Sequence, residues 1–154
     1  MSKNNTISCA SCHAPQYAFS DNIPFSSGVN GDLGKRNSMV LQNLAWVDEF
    51  LWDGAIHSLE EQILLPVMDS TEMDNTWRDF LSKIRYDNLY RELFYNAFGT
   101  LEPDSTHAAK AIAQFLRTMI SGNSKYDKVL RYEANFTPDE NAGFSSFNSL
   151  TGGD

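Results

Sequence analysis

Cys9-Ala10-Ser11-Cys12-His13 spells C-x-x-C-H, the signature for covalent attachment of a c-type haem, and it uses both cysteines of the chain. In that chemistry two thiols add across the haem vinyl groups, and the adjacent His13 offers an imidazole to the iron. Other readings of the same five residues fit less well. Zinc needs four ligands, and no second Cys/His pair sits at zinc spacing; His57 and His107 stand apart from each other and from the motif. A redox C-x-x-C opens a helix after a strand, and nothing β-like precedes Cys9. A disulfide across this spacing would close a very small loop and constrain little.

Outward from the motif, the bulk properties are those of one globular domain. At 154 residues the chain can bury roughly 68–70% of its unfolded surface. Its 42% hydrophobic and 12% aromatic content argues against disorder. A net charge of −8 and a pI near 4.7 exclude nucleic acid as a natural partner and suit a basic redox protein. No apolar run approaches the ~18 residues of a membrane span. Met1-Ser2-Lys3-Asn4-Asn5-Thr6 leads straight into the motif with no signal peptide. Haem attachment to this motif normally takes place outside the cytoplasm, so the expectation is a periplasmic protein read here as a fragment without its export signal.

Residues 14–36 are dense in turn formers, among them Pro15, Asp21-Asn22, Pro24, Ser26-Ser27-Gly28, Asn30-Gly31 and Gly34. A loop of this length is uncommon unless it has work such as wrapping a cofactor. Helical signals follow. Ser58-Leu59-Glu60-Glu61 is a capping box whose helix is expected to run to about Leu65, where Pro66 stops it. Trp77, Phe80, Leu81 and Ile84 share one helical face, as do Leu89, Leu93, Phe94 and Ala97, with Gly99 placed to end the second helix. Ala108, Ala111, Ile112, Phe115 and Met119 mark a helix of about four turns closed by Gly122. Thr137-Pro138-Asp139-Glu140 is a further capping box, expected to point Phe144 and Phe147 inward and to end near Gly152-Gly153. With no alternating strand run, the class is all-α: a cytochrome c-like haem domain with a long haem-wrapping loop.

A haem protein can carry electrons, bind a gas or activate peroxide. A carrier fills both axial positions, whereas a peroxidase leaves one open and sets an acid/base group over it, because one peroxide oxygen must lose a proton and the other gain one. Taken singly, Glu72 would be a solvated charge, Trp52 a core residue, Gln62 a helix-face residue and Asn37 a turn or cap. Met68, Met73 and Met119 read as core fillers, and His57 and His107 as surface or cap residues.

Taken together, the residues form a pattern. Phe50-Leu51-Trp52-Asp53-Gly54, then Ser58-Leu59-Glu60-Glu61-Gln62, Pro66 and Glu72-Met73, resembles the bacterial dihaem cytochrome c peroxidase family. Gly28-Val29-Asn30-Gly31, Arg36-Asn37, the 108–118 helix and Asn123-Ser124-Lys125-Tyr126-Asp127 extend the likeness over nearly the whole chain, in order. The match is to the N-terminal, peroxidatic haem domain. The resemblance implies that His13 is the proximal ligand of a covalent haem c held by Cys9 and Cys12. It implies that Glu72 is the distal acid/base group and Gln62 a distal partner. Trp52 would lie between two haems on the electron path, and Asn37 would ligate a calcium ion shared with the second domain. The substrate implied is hydrogen peroxide, with electrons from cytochrome c or a cupredoxin, in a full-length enzyme that can form a homodimer.

The pattern also departs from the family. Val29 stands where many members place a histidine that binds the resting haem, and valine cannot bind iron, so an open distal face is expected. Ala55 replaces the arginine usual after W-D-G. Residues 1–136 are expected to form the peroxidatic domain, and 137–154 the lead-in to a missing C-terminal haem domain. Two alternatives stay open: a single-haem electron carrier, and a related dihaem enzyme that oxidises protein side chains.

Overall fold

The computed structural model describes residues 1–149. Among them regular structure is entirely helical, in agreement with the all-α expectation; the extended pairings are isolated bridges, Ala14–Ser20, Ser27–Leu33 and Phe50–Ile56. The helices are α1 (Cys9–Cys12), α2 (Leu59–Met68), α3 (Trp77–Arg85), α4 (Asn88–Phe98), α5 (Ser105–Arg117), α6 (Lys125–Leu130) and α7 (Pro138–Phe147). They divide between two compact units, Met1–Ile120 and a second that begins at Ser121.

The first unit is organised along α5. Phe50, Leu59, Ala113 and Leu116 form one buried cluster, with Leu44, Ile56, Ile63 and Ile112 packed around it. Leu81, Ile84, Phe94 and Ala108 form the other, flanked by Trp77, Phe80 and Phe98. Alanines at 108, 109 and 113 let neighbouring helices come close to the α5 backbone, and Ala113 is 0% exposed. Beside that contact Arg117 of α5 grips Glu60 of α2 with both prongs, at 2.7 and 3.1 Å. This fork-to-fork geometry is the strong form of an ion pair.

Several sequence expectations are corrected. On α5 the inward face is Ala108, Ala109, Ala113 and Leu116, while Phe115 is 63% exposed and Ala111 also faces solvent. Ala108 is buried and Ile112 and Met119 pack against the core as expected, but Ala113 and Leu116 take the inward places expected of Ala111 and Phe115. The helix stops at Thr118, whose amide and hydroxyl both turn back to the Phe115 carbonyl, well before Gly122. On α4 only Phe94 is buried; Leu89, Leu93 and Ala97 are exposed. Gly99 does end α4 with φ +71, as expected. Met73 and Met119 pack inward, whereas Met68 is exposed.

Pro66 does not stop α2, which runs on to Met68. Proline removes one amide and thus one bond to the carbonyl four residues back. In the last turn that loss is small beside what the following residues restore. Ser58 caps the start of α2 through the Glu61 amide at 3.4 Å, so only that half of the expected box forms.

In the second unit the box at Thr137 and Glu140 forms in full, with Pro138 at the first helical position. Phe144 packs with Tyr126 and Phe136 yet stays exposed at 37%, and Phe147 is exposed too, so neither is buried as expected. The helix ends at Phe147, and Gly152-Gly153 lie outside the described residues.

The corrected register of α5 has a simple test. Ala113→Leu should destabilise the chain by about 1–3 kcal/mol through overpacking, while Phe115→Ser should stay within about 0.5 kcal/mol. Urea unfolding of the two variants checks both. The reverse ranking would restore the face read from the sequence.

Candidate haem and peroxide site

His13 ends the single turn α1 and points its Nδ1 at the Phe19 carbonyl, 2.9 Å away. A carbonyl only accepts, so Nδ1 carries the proton and Nε2 keeps its lone pair for a metal. Such a bond fixes both the tautomer and the orientation of a metal-ligating imidazole. The backbone builds it deliberately: Ala18 and Phe19 both take left-handed conformations, φ +57 and +58. Their turn brings Ser20 back beside Ala14, where the Ala14 amide donates to the Ser20 carbonyl at 3.0 Å. Neither residue is a glycine, so this hairpin is held against its local preference.

Cys9 and Cys12 stand three apart on α1, both unpaired, the first exposed and the second half-buried. Residues three apart on a helix share a face, which is the placement two thioether bonds to one ring require. Burial pushes the Cys12 thiol above its usual pKa, against a hydrogen bond with Ser26 that lowers it, and the carboxylates of Asp21 and Glu72 push it up further. Glu72 is therefore close enough to the attachment motif for its charge to be felt there.

Glu72 lies on the turn that follows α2. Its amide donates to the Asp69 carbonyl (3.1 Å), and its own carbonyl accepts from the Val29 amide (2.8 Å). With its backbone spent, its side chain is left free. Burial raises the carboxyl pKa, and neighbouring Asp69 raises it again. The residue also presents surface to solvent. The carboxyl is thus crowded by protein yet reachable from solvent. A carboxyl tuned upward is what proton relay near neutral pH calls for.

Gln62 projects from the shaft of α2, and its Oε1 is buried with no hydrogen-bond partner. A buried amide oxygen without a partner is costly and marks a site for a missing donor. This orphan, the free Nε2 of His13 and the two free thiols of α1 are the groups that a covalently held haem and a polar ligand on it would use. The stretch between residues 17 and 52 agrees, since it leaves Tyr17, Phe25, Leu33, Val40, Trp46 and Trp52 exposed. So many large apolar side chains on loops suit an apolar ring more than water.

Trp52 sits on the tight turn between Phe50 and Ile56, 59% exposed, with its indole Nε1 donating to the Asn37 carbonyl at 2.8 Å. Asn37 stitches the long loop together. Its Nδ2 donates to the carbonyls of Asp21 (3.1 Å) and Ile23 (2.6 Å), and its Oδ1 accepts from Ser20 at 3.2 Å. That oxygen keeps one lone pair. No group of three or more His, Cys, Asp or Glu that could hold a metal ion occurs among the described residues. His107 serves as a cap, bonded to Asp104 at the start of α5, and His57 is exposed.

The sequence reading missed the neighbours that hold Glu72. Ser2 is wholly buried, and the Lys3 amide donates to the Met73 carbonyl at 3.0 Å. Asp74 accepts from Lys3 Nζ (3.1 Å) and Asn30 Nδ2 (3.3 Å). Gly28 reads from the sequence as a turn former and as part of the family pattern, without its contact to the Glu72 turn.

A family model described as di-haem cytochrome c peroxidase matches residues 1–135. The chain is 33% identical to the methylamine utilization protein MauG of Methylorubrum extorquens, covering 99% of this chain and 44% of that protein. It is also 33% identical to the cytochrome c551 peroxidase of Nitrosomonas europaea, covering 96% and 44% respectively. A solved MauG-like protein associated with microbial copper homeostasis superposes with a TM-score of 0.87 at 31% identity, over 96% of this chain and 45% of that one. The chain thus spans a little under half the length of these relatives.

The raised pKa of Glu72 fixes a sign for stability. The fold favours the protonated carboxyl, so its contribution is complete below the ordinary glutamate value of about 4.3 and is lost as pH rises through the folded value. Glu72→Gln, neutral at every pH, should be more stable than wild type at neutral pH, and the gap should close on acidification. Urea melts across pH 3–8 check this; a gap that widened toward acid would mean the fold prefers the carboxylate.

Proposed function

The chain belongs to the di-haem cytochrome c peroxidase family, and from that premise we propose that it is the peroxide-reacting haem domain of a periplasmic oxidoreductase. The observation that carries the reading is the pairing of Glu72, with its raised pKa, and Gln62, with its unpartnered Oε1, on one helix and its terminal turn.

Haem c, when bound, supplies the redox chemistry that splits the O–O bond of hydrogen peroxide. The protein's part is attachment, orientation and proton movement. Cys9 and Cys12 would hold the ring through thioethers, and His13 would offer Nε2 while Phe19 holds its other nitrogen. Glu72 would take a proton from one peroxide oxygen and return it to the other. Gln62 would orient the ligand through the oxygen that now lacks a donor. Val29, in contrast to the histidine the resemblance leads one to expect, has no group that could compete for iron.

Electrons would come from a small redox protein such as cytochrome c or a cupredoxin, by way of a second haem domain to which residues 137–154 lead. Trp52 would lie on that path, and Asn37 Oδ1 would join a calcium site completed by the second domain. A second reading has its own support: the likeness to MauG is as strong as that to the c551 peroxidase. In that reading the same pocket serves an enzyme that oxidises protein side chains.

Rapid mixing of the ferric, haem-loaded protein with peroxide tests the proposal. The wild type should show a high-spin spectrum that changes on mixing, and Glu72→Gln should slow that change by about 10²–10⁴-fold, the usual worth of general acid/base assistance. A low-spin resting spectrum indifferent to peroxide, unchanged in Glu72→Gln, would point to an electron carrier.

A further inference from the structure

Gly28 meets the Glu72 segment backbone to backbone. A Cβ built on it would lie 2.1 Å from the Thr71 carbonyl oxygen, 2.5 Å from the Thr71 carbonyl carbon and 3.0 Å from the Glu72 nitrogen. No side chain stands in the way that could swing aside; the obstruction is main chain. The neighbouring Val29 amide completes the contact by donating to the Glu72 carbonyl at 2.8 Å, while the Gly28 amide closes its own turn onto the Asp32 carbonyl at 2.8 Å. Asn30 continues along the same edge to Asp74, whose Oδ2 accepts from Asn30 Nδ2 and from Lys3 Nζ alike. The Glu72 turn is thus held between the 28–30 segment and the N-terminal arm.

We propose that Gly28 is a positioning residue for Glu72: its bare backbone is the seat that sets the distance of the proton-relaying carboxyl from the attachment motif. The inference rests on the role proposed above for Glu72. What selects glycine here is close approach rather than an unusual φ, since only Gly31, Gly54 and Gly99 have positive φ among the described glycines. Alanine at 28 must push the two strands of backbone apart by roughly 1 Å to reach an allowed contact, and a misplacement of that size can cost about 10²-fold in rate.

Gly34 provides the control. It lies in the same loop, and its added Cβ would meet nothing nearer than 3.6 Å. The experiment compares Gly28→Ala and Gly34→Ala in the haem-loaded protein, each alone and combined with Glu72→Gln, by amide hydrogen exchange and by the rate of reaction with peroxide. Gly28→Ala should abolish protection of the Val29 amide and slow the reaction about a hundredfold, yet cost nothing further when Glu72→Gln is already present. Gly34→Ala should change neither readout.

If Gly28→Ala slows the reaction equally with and without Glu72→Gln, its effect is general loosening and the proposal falls. It falls also if Val29 protection and rate are both retained. Should Gly28→Ala fail to fold, Asn30→Ala, a surface change that deletes the bond to Asp74, decides by the same two readouts. Val29 protection and rate reduced together support the seat, and both unchanged overturn it. Were Glu72→Gln itself without effect on the rate, the proposed function would fail, while exchange at Val29 would still report whether Gly28 holds the turn.

Discussion

The last carbonyls of α2 have no partners within the helix, and the way the chain satisfies them decides where Glu72 stands. Leu65, Pro66 and Val67 present oxygens that accept from the amides of Asp69, Met73 and Asn75 in succession. To deliver the second and third of those amides the chain must reverse between 69 and 74. It does so with the Asp69 side chain bonded to Thr71 and with Asp74 in a left-handed conformation, φ +44. Glu72 is carried at the far side of that reversal. Gln62 stands on the helix itself, six residues before its end at Met68. One rigid element therefore places both polar groups of the site, and α5 fixes that element in turn through Ala113 and the Arg117–Glu60 fork.

On the reading proposed above, this arrangement explains why the proton-relaying residues would be carried by α2 and the turn after it, while beyond the single turn α1 the segment that would surround the haem is mostly loop. Side chains that must hold a fixed distance are best mounted on a packed helix. A segment that must surround a flat ring has no such helix to sit on, and its polar backbone must find partners piecemeal. The 14–36 segment does this through Asn37, whose amide binds the carbonyls of Asp21 and Ile23, and through short bridges at Ala14–Ser20 and Ser27–Leu33.

How much of this was legible depended on the range of the forces involved. The cap at Ser58, the stop at Gly99 and the box at Thr137 are local, and each forms where its residues are. The facing of α5 was legible only in part: Ala108, Ile112 and Met119 do face inward, but a pattern of hydrophobicity favours Phe115, whereas packing favours Ala113 and Leu116. Pro66 misled for a related reason: its local cost is real, but carbonyl partners supplied by residues 73 and 75 keep the turn formed. At the site, Glu72, Gln62 and Trp52 were picked out by their order in a recognisable pattern. Ser2, Lys3 and Asp74 carry no such pattern, and their importance exists only once the N-terminal arm is folded against the turn.

Position 29 shows how two duties can be separated within one residue. Its amide secures the Glu72 carbonyl, a task any residue but proline can perform. Its side chain is free of that task. In the family this chain resembles, a histidine at this place can bind the iron, so exchanging it for valine alters what competes for the distal face without releasing the backbone clamp on Glu72. The seat at Gly28 is different in kind, because there the absence of a side chain is itself the contact. On the proposed roles, a loop built this way would let ligand competition vary at one residue while the residue before it holds the geometry of proton transfer.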